Sequence, residues 1–136
     1  MKNIYVFGNP DLEMDSLPIR LIPKLQKEFP NIHFEILEPN EDWNISENIV
    51  VIDTVVGIKE TTIFEGLKHF IDAPKLTCHD FDAYWNLRYL QKLGKLKEIT
   101  ILGIPPLMSP KEAFENLTKM IQKVTLSKES ATETKA

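Results

Sequence analysis

The sequence predicts an α/β protein of one domain, a three-layer sandwich in which helices cover both faces of a mostly parallel, twisted sheet. Short apolar segments alternate with segments of helical period, as in chains of β and α units. The short segments are apolar on consecutive positions, which is typical of strands buried on both faces. A length of 136 residues, with 43% hydrophobic and 26% charged residues, suits one compact domain.

The first half of the chain predicts three strands and one helix. The strands cover residues 4–7, 33–37 and 49–52, and the last of them, the most apolar run in the chain, ends at Asp53 and should be central. The helix begins near Ser16, because apolar residues recur at steps of four: Leu17, Leu21, Leu25 and Phe29. Pro23 predicts a kink or a distorted first turn in this helix.

The second half predicts a short strand at residues 61–64, a helical piece at 65–70, a helix from Asp80 that ends at Gly94, and a strand at 99–104. Ser109, Pro110 and Glu112 then have the order of an N-cap, a first helical proline and a capping-box glutamate, so a last helix should start there. The domain is expected to span residues 1–126, followed by a flexible polar tail at 127–136 without apolar periodicity.

Composition excludes several classes of function. A formal net charge of −4 argues against a nucleic-acid partner. Cys78 is the only cysteine, so neither an internal disulfide nor a paired-cysteine metal or redox site is expected, and a cytoplasmic location is predicted. The apolar run at residues 4–7 is too short for a signal peptide or a membrane span, so no membrane partner is expected.

Three side chains of reactive type follow the predicted strands or precede a helix, where ligands collect in open parallel sheets: Asp15, Asp53 and His79. Two carboxylates and one imidazole that converge would bind a divalent cation, and this ligand set suits nickel or zinc better than calcium. Each residue also has a structural interpretation. Asp15 could cap the first helix, Asp53 could bond backbone amides at a strand end, and a lone histidine is often structural.

Other motifs fit less well. The segment that starts at Gly8 lacks the further glycines of a dinucleotide-binding loop, and the chain has no Walker sequence and no serine nucleophile elbow. Asp53 at a strand end also suggests a phosphoacceptor receiver domain. That fold needs a lysine after the last strand to neutralise the phosphoryl charge, whereas this chain has Ile104-Pro105-Pro106 there.

Four segments, taken in order, resemble the hydrogenase maturation endopeptidases, which remove the C-terminal extension from the large subunit of nickel-iron hydrogenases. The resemblance covers about residues 3 to 124. The segments that carry it are Gly8-Asn9 with Asp15, then Ile52-Asp53, Thr77-Cys78-His79, and Ile101-Leu102-Gly103-Ile104 with Pro106.

The resemblance implies an endopeptidase whose substrate is a hydrogenase large-subunit precursor with nickel already inserted. Asp15, Asp53 and His79 would contact that nickel transiently, so that the metal serves as the recognition element, and no permanently bound cofactor is expected. Asp15 or Asp53 would accept the proton in hydrolysis, with the choice between them left open. A binding module of hydrogenase assembly that does not cut its partner is the alternative.

Overall fold

The structure, a computed structural model, describes residues 2–8, 11–37, 48–55, 57–66, 87–94 and 97–135. The side chains of residues 2, 13–15 and 126–135 lie outside this description. No helix among the described residues is long and apolar enough to cross a membrane.

Strands and helices alternate through the first part of the chain, and two further strands precede the last helix. In the part of the chain that the structure describes, the helices are α1 (Glu13–Glu28) and α2 (Pro110–Lys135), and residues 87–92 form a further helical segment. The strands are β1 (Lys2–Val6), β2 (Ile32–Ile36), β3 (Asn48–Thr54), β4 (Thr62–Glu65) and β5 (Glu98–Ile104). Every strand that the sequence predicts is present, with bounds shifted by one or two residues.

Within the described residues, the five strands form one sheet in the order β2-β1-β3-β5-β4. Neighbouring strands are parallel except β4, which runs antiparallel to β5 at the edge. The chain passes from β1 to β2 on one side and then returns to β3 on the other side of β1, so the strand order reverses between β1 and β3. Such a reversal opens a crevice at the carboxyl ends of the strands.

Each face of the sheet has its own buried cluster. On the first face, leucines of α1 and apolar residues of α2 pack against alternate residues of the strands, with Leu17 and Leu117 fully buried. On the second face, Leu87 of the helical segment belongs to one buried cluster with the intervening strand residues, which include Val51 and Ile101, and with Phe7 directly after β1. The three layers and the mostly parallel sheet confirm the predicted fold class.

Helix α1 starts three residues before the predicted Ser16 and continues through Pro18 and Pro23 to Glu28. Each proline removes one backbone donor from the helix. The helix is retained because its leucine stripe is buried in the first-face core, and packing of an apolar face supplies most helical stability in proteins.

Helix α2 begins as its sequence predicts. The Ser109 Oγ accepts a hydrogen bond from the backbone N–H of Glu112 at 3.2 Å, which is the N-cap contact. The helix then continues to Lys135, so the backbone at residues 127–135 is helical where the sequence predicts a flexible tail. This segment has no proline or glycine to end the helix, and lack of apolar periodicity does not by itself prevent helix formation.

Gly66 and Gly94 adopt the left-handed backbone conformation at the ends of two elements. Gly66 has a φ of 82° directly after β4, and Glu65 is the last residue of that strand, so the helical piece predicted from Glu65 does not begin there. The rest of that predicted piece, residues 67–70, lies outside the described residues. Gly94 has a φ of 74° and closes the helical segment as predicted, with its N–H donating to the Gln91 carbonyl at 3.0 Å.

Gln26 joins α1 to β2 through its side-chain amide. Its Nε2 donates to the carbonyl oxygens of Phe29 at 3.3 Å and Ile32 at 2.6 Å, and its Oε1 accepts from the Phe34 N–H at 3.4 Å. Replacing Gln26 by alanine is therefore expected to lower the free energy of unfolding by about 1–2 kcal/mol in urea titration. Gln122→Ala, on an exposed position of α2, is the matched control and should change it by less than about 0.5 kcal/mol. Equal stabilities of the two variants would contradict the bridging role of Gln26.

Candidate active site

The carboxyl ends of β1, β3 and β5 meet at one edge of the sheet, here called the rim. Asp53 lies at this rim, one residue before the end of β3 and next to the point where the strand order reverses. In the register it pairs with Gly103 of β5. Continuing the β1–β3 register places Phe7 on its other side, and the Phe7 N–H donates to the Ile52 carbonyl at 2.9 Å.

The side chain of Asp53 lies on the second face of the sheet, because side chains alternate along a strand and Val51 belongs to the second-face cluster. Asp53 is only 1% exposed, and its Oδ1 atom is fully buried. Aspartate is rarely buried to this extent, since transfer of a carboxyl group out of water costs free energy. A carboxyl group that is buried at the crevice of a parallel sheet despite this cost in free energy is typical of a functional residue.

Gly103 allows an aromatic ring to approach the strand beside Asp53. A Cβ atom at Gly103 would lie 2.8 Å from Cε2 of Phe64 and 2.9 Å from Cγ2 of Val55. Gly103 does not have a positive φ, so the backbone conformation does not require glycine there. The requirement comes from packing, since the Phe64 ring and Val55 occupy the space that a side chain would need.

Asp15 lies in the first turn of α1, which begins seven residues after β1 ends and so starts near the same rim. The N-cap residue of α1 is Leu12, with no side-chain cap hydrogen bond. Asp15 is thus inside the helix, and the interpretation of this residue as the cap is wrong. Its side chain lies outside the described part of the structure, so its approach to Asp53 stays a prediction.

His79 lies outside the described residues, as do the neighbouring Asp80 and Cys78. The helical segment at 87–92, which the sequence places after His79, packs on the second face, the same face as Asp53. Among the side chains that the structure describes, no three His, Cys, Asp or Glu residues are grouped as a metal site. Convergence of the three predicted ligands remains a prediction.

A groove of about 360 Å³ opens at the rim, next to the end of β5. Its apolar lining comes from the loops after β3 and β5, namely Ile58, Pro105, Pro106, Leu107 and Met108. One basic and one acidic side chain, Lys59 and Glu112, complete the lining. The groove and Asp53 therefore lie at the same edge of the sheet.

No protein-family model and no curated protein matches the sequence. Among solved structures, the chain is similar to the hydrogenase maturating endopeptidase HybD from E. coli, with a TM-score of 0.59 and 16% sequence identity. This chain has the HybD fold. The match covers 91% of this chain and 94% of the HybD chain, so it includes both the sheet and its covering helices. The fold that the sequence resemblance implies is thus confirmed.

The HybD fold fixes the architecture, whereas function depends on the residues placed at the rim. Sequence reasoning predicted the place of Asp53 at the end of the most apolar strand, and its role stays a prediction. It missed the packing of Phe64 over Gly103 and the groove beside Leu107. The run Pro105-Pro106-Leu107-Met108 was an available signal for the groove, since it places two large apolar residues in a loop directly after a buried strand.

Proposed function

We propose that this protein is a hydrogenase maturation endopeptidase, which removes the C-terminal extension from the nickel-loaded large-subunit precursor of a nickel-iron hydrogenase. The observation that carries the proposal is the buried carboxyl group of Asp53 at the rim, next to the reversal in strand order. Likeness to the HybD fold, and the ordered segments shared with the family, support it. The proposed reaction is cytoplasmic and needs no cofactor besides the metal of the substrate.

In this proposal the nickel of the precursor is contacted by Asp15, Asp53 and His79, whose oxygen and nitrogen donors are of a type that nickel accepts. Asp53 is 1% exposed, so the atoms that cover it must move aside when the substrate binds. Contact with the metal would then fix the position of the precursor's C-terminal segment relative to the carboxylates. Recognition of nickel would restrict cleavage to precursors in which the metal is already present.

Hydrolysis requires a group that takes a proton from water. The water oxygen attacks the carbonyl carbon of the scissile peptide while a carboxylate, that of Asp15 or Asp53, accepts the proton. When the C–N bond breaks, the same carboxyl group returns the proton to the leaving nitrogen. The products are a new carboxylic acid group on the large subunit and an amino group on the released peptide, which together contain the atoms of the peptide bond and one water. Transfer of the acid proton to the amine then gives a carboxylate and an ammonium group.

Mass spectrometry of the precursor tests the proposal directly. Incubation of the purified protein with nickel-loaded precursor should produce two species, the shortened large subunit and its C-terminal peptide, whose masses sum to that of the precursor plus one water. The matched nickel-free precursor should remain intact. Binding of the loaded precursor without any loss of mass would overturn the protease assignment and favour a binding module, and cleavage independent of nickel would overturn metal recognition.

His79 supplies a second test of metal recognition. Replacing His79 by alanine is expected to lower the rate of processing of the nickel-loaded precursor by about 10- to 100-fold, since loss of a group that orients or holds a metal typically has an effect of this size. His33→Ala is the matched control, because His33 is exposed on β2 and is predicted to have no role in catalysis. Processing by the His79 variant at the wild-type rate would remove this residue from the site.

A further inference from the structure

The absence of a side chain at Gly103 places an aromatic ring beside Asp53. Gly103 is the neighbour of Asp53 across the β3–β5 ladder, and strands in a sheet lie about 4.8 Å apart. The Cε2 atom of Phe64 lies 2.8 Å from the point where a Cβ atom of Gly103 would stand. Phe64 packs against the second-face cluster, and the side chain of Asp53 lies on the same face. The Phe64 ring therefore occupies the side-chain position next to the buried carboxyl group.

The other described side chains that flank Asp53 are packed tightly. Phe7, on the β1 side, and Val51, two residues earlier on β3, are buried members of the second-face cluster. Val55, two residues later, is also buried, and its Cγ2 atom lies 2.9 Å from the same point over Gly103. Side chains in a close-packed interior have little room to move, so none of these three can easily open a path to the carboxyl group.

Phe64 has the room to move that these side chains lack. It is half-buried, whereas Asp53 is 1% exposed. Its strand, β4, has four residues and pairs with β5 alone among the described strands, so it lies at the edge of the sheet. Short edge strands contribute few ladder hydrogen bonds and belong to the less stable part of a fold. Movement of the ring towards this edge would empty the space over Gly103 and expose one side of Asp53.

We infer that the Phe64 ring is the movable wall of the active site: it covers the approach to Asp53 in the free protein and turns outward when the substrate polypeptide binds. The inference rests on the proposed function, since it takes the substrate to need contact with Asp53. Gly103 then serves access as well as packing, because a side chain there would keep the ring from closing. Phe64 acts through Asp53, so it is a positioning residue.

Chemical labelling of a thiol at position 53 measures this access without any cleavage. The protein for labelling carries Asp53→Cys, a small side chain that suits a buried position, and Cys78→Ser, which removes the native thiol. The thiol should react slowly with iodoacetamide while Phe64 is present. It should react about tenfold faster after Phe64→Ala, because the reactivity of a cysteine depends on its exposure. Phe64→Tyr keeps the ring and should leave the rate low.

Phe114→Ala is the matched control for the labelling experiment. Phe114 is also half-buried, but it lies on α2 and packs against the first-face cluster. Its replacement removes the same ring and leaves the approach to Asp53 unchanged, so it measures the effect of a general loss of stability. Labelling that is fast after Phe64→Ala and slow in this control would support the movable wall. Equal labelling rates in the two alanine variants would overturn it.

The kinetics of cleavage give a second measurement, in proteins that keep Asp53. A wall that must open lowers the apparent affinity by the fraction of protein that is open, so Phe64→Ala should lower KM for the nickel-loaded precursor by about three- to tenfold. The value of kcat should not rise, since the ring takes no part in proton transfer. An unchanged or higher KM would overturn the movable wall. If wild type cleaves no precursor while labelling is faster after Phe64→Ala, the protease is overturned and the movable wall is supported.

Discussion

Replacing Asp53 by asparagine is expected to lower the rate of precursor cleavage by at least about 100-fold while the protein remains folded. Asparagine has nearly the shape of aspartate but cannot accept the proton in hydrolysis, and loss of a general base has effects of about 10²–10⁴-fold. It is also a weaker ligand for nickel than a carboxylate. The rate is measured by mass spectrometry with nickel-loaded precursor, and folding by circular dichroism and thermal unfolding.

Asp11→Asn is the matched control for this experiment. Asp11 is exposed and lies in the loop between β1 and α1, so the same chemical change is made on an exposed carboxyl group instead of a buried one. The control should cleave at the wild-type rate. If Asp53→Asn retains wild-type activity, Asp53 is neither the base nor a necessary metal contact, and its burial needs another explanation. If the Asp53→Asn variant fails to fold, the cleavage rate of the Asp53→Glu variant is measured instead. That variant keeps the carboxylate and moves it by one methylene group.

Replacing Gly103 by alanine is expected to lower the free energy of unfolding by about 1–3 kcal/mol, measured by urea titration. The new methyl group would meet the Phe64 ring and Val55 at 2.8 and 2.9 Å, distances at which neighbouring atoms must shift. Val55 is buried and has little room to move in a close-packed interior, whereas the Phe64 ring is half-buried on the edge strand and can relieve part of the overlap by shifting. A stability equal to that of wild type would show that the Phe64 ring moves away without cost.

A double-mutant cycle isolates the contact between residues 103 and 64. In the Phe64→Ala background, Gly103→Ala should have a smaller cost than in wild type, because the nearest obstructing atom is gone. A part of the cost should persist, since Val55 remains in contact. Equal costs in both backgrounds would assign the effect of Gly103→Ala to Val55 or to the backbone instead.

Local sequence patterns predicted most of the fold because each element has a signal within its own residues. β3 was predicted from four consecutive apolar residues, and α2 from a cap, a first-turn proline and an apolar stripe, and both are present. The beginning of α1 and the end of α2 were less predictable. In α1 the burial of a leucine stripe stabilises the helix through two prolines, and burial is a property of the assembled core.

The features of the candidate site also differ in whether a local sequence signal predicts them. Asp53 was predicted because its position depends only on the end of one strand. The Phe64–Gly103 contact could not be predicted, because the two residues are distant along the chain and meet only when β4 pairs with β5. The apolar run after β5 was a signal for the groove beside Leu107, but its other wall, the loop after β3, reaches that run only when β5 pairs with β3.

The sequence by itself determined the alternation of strands and helices, the cap that begins α2, and the carboxylate at the end of the central strand. These features depend on hydrophobic period, turn residues and backbone donors within a few positions. Only the tertiary structure decided the strand order, the reversal between β1 and β3, the burial of Asp53 and the shape of the groove. Those features arise from contacts between residues far apart in the chain, whose free energies depend on how all the elements pack together.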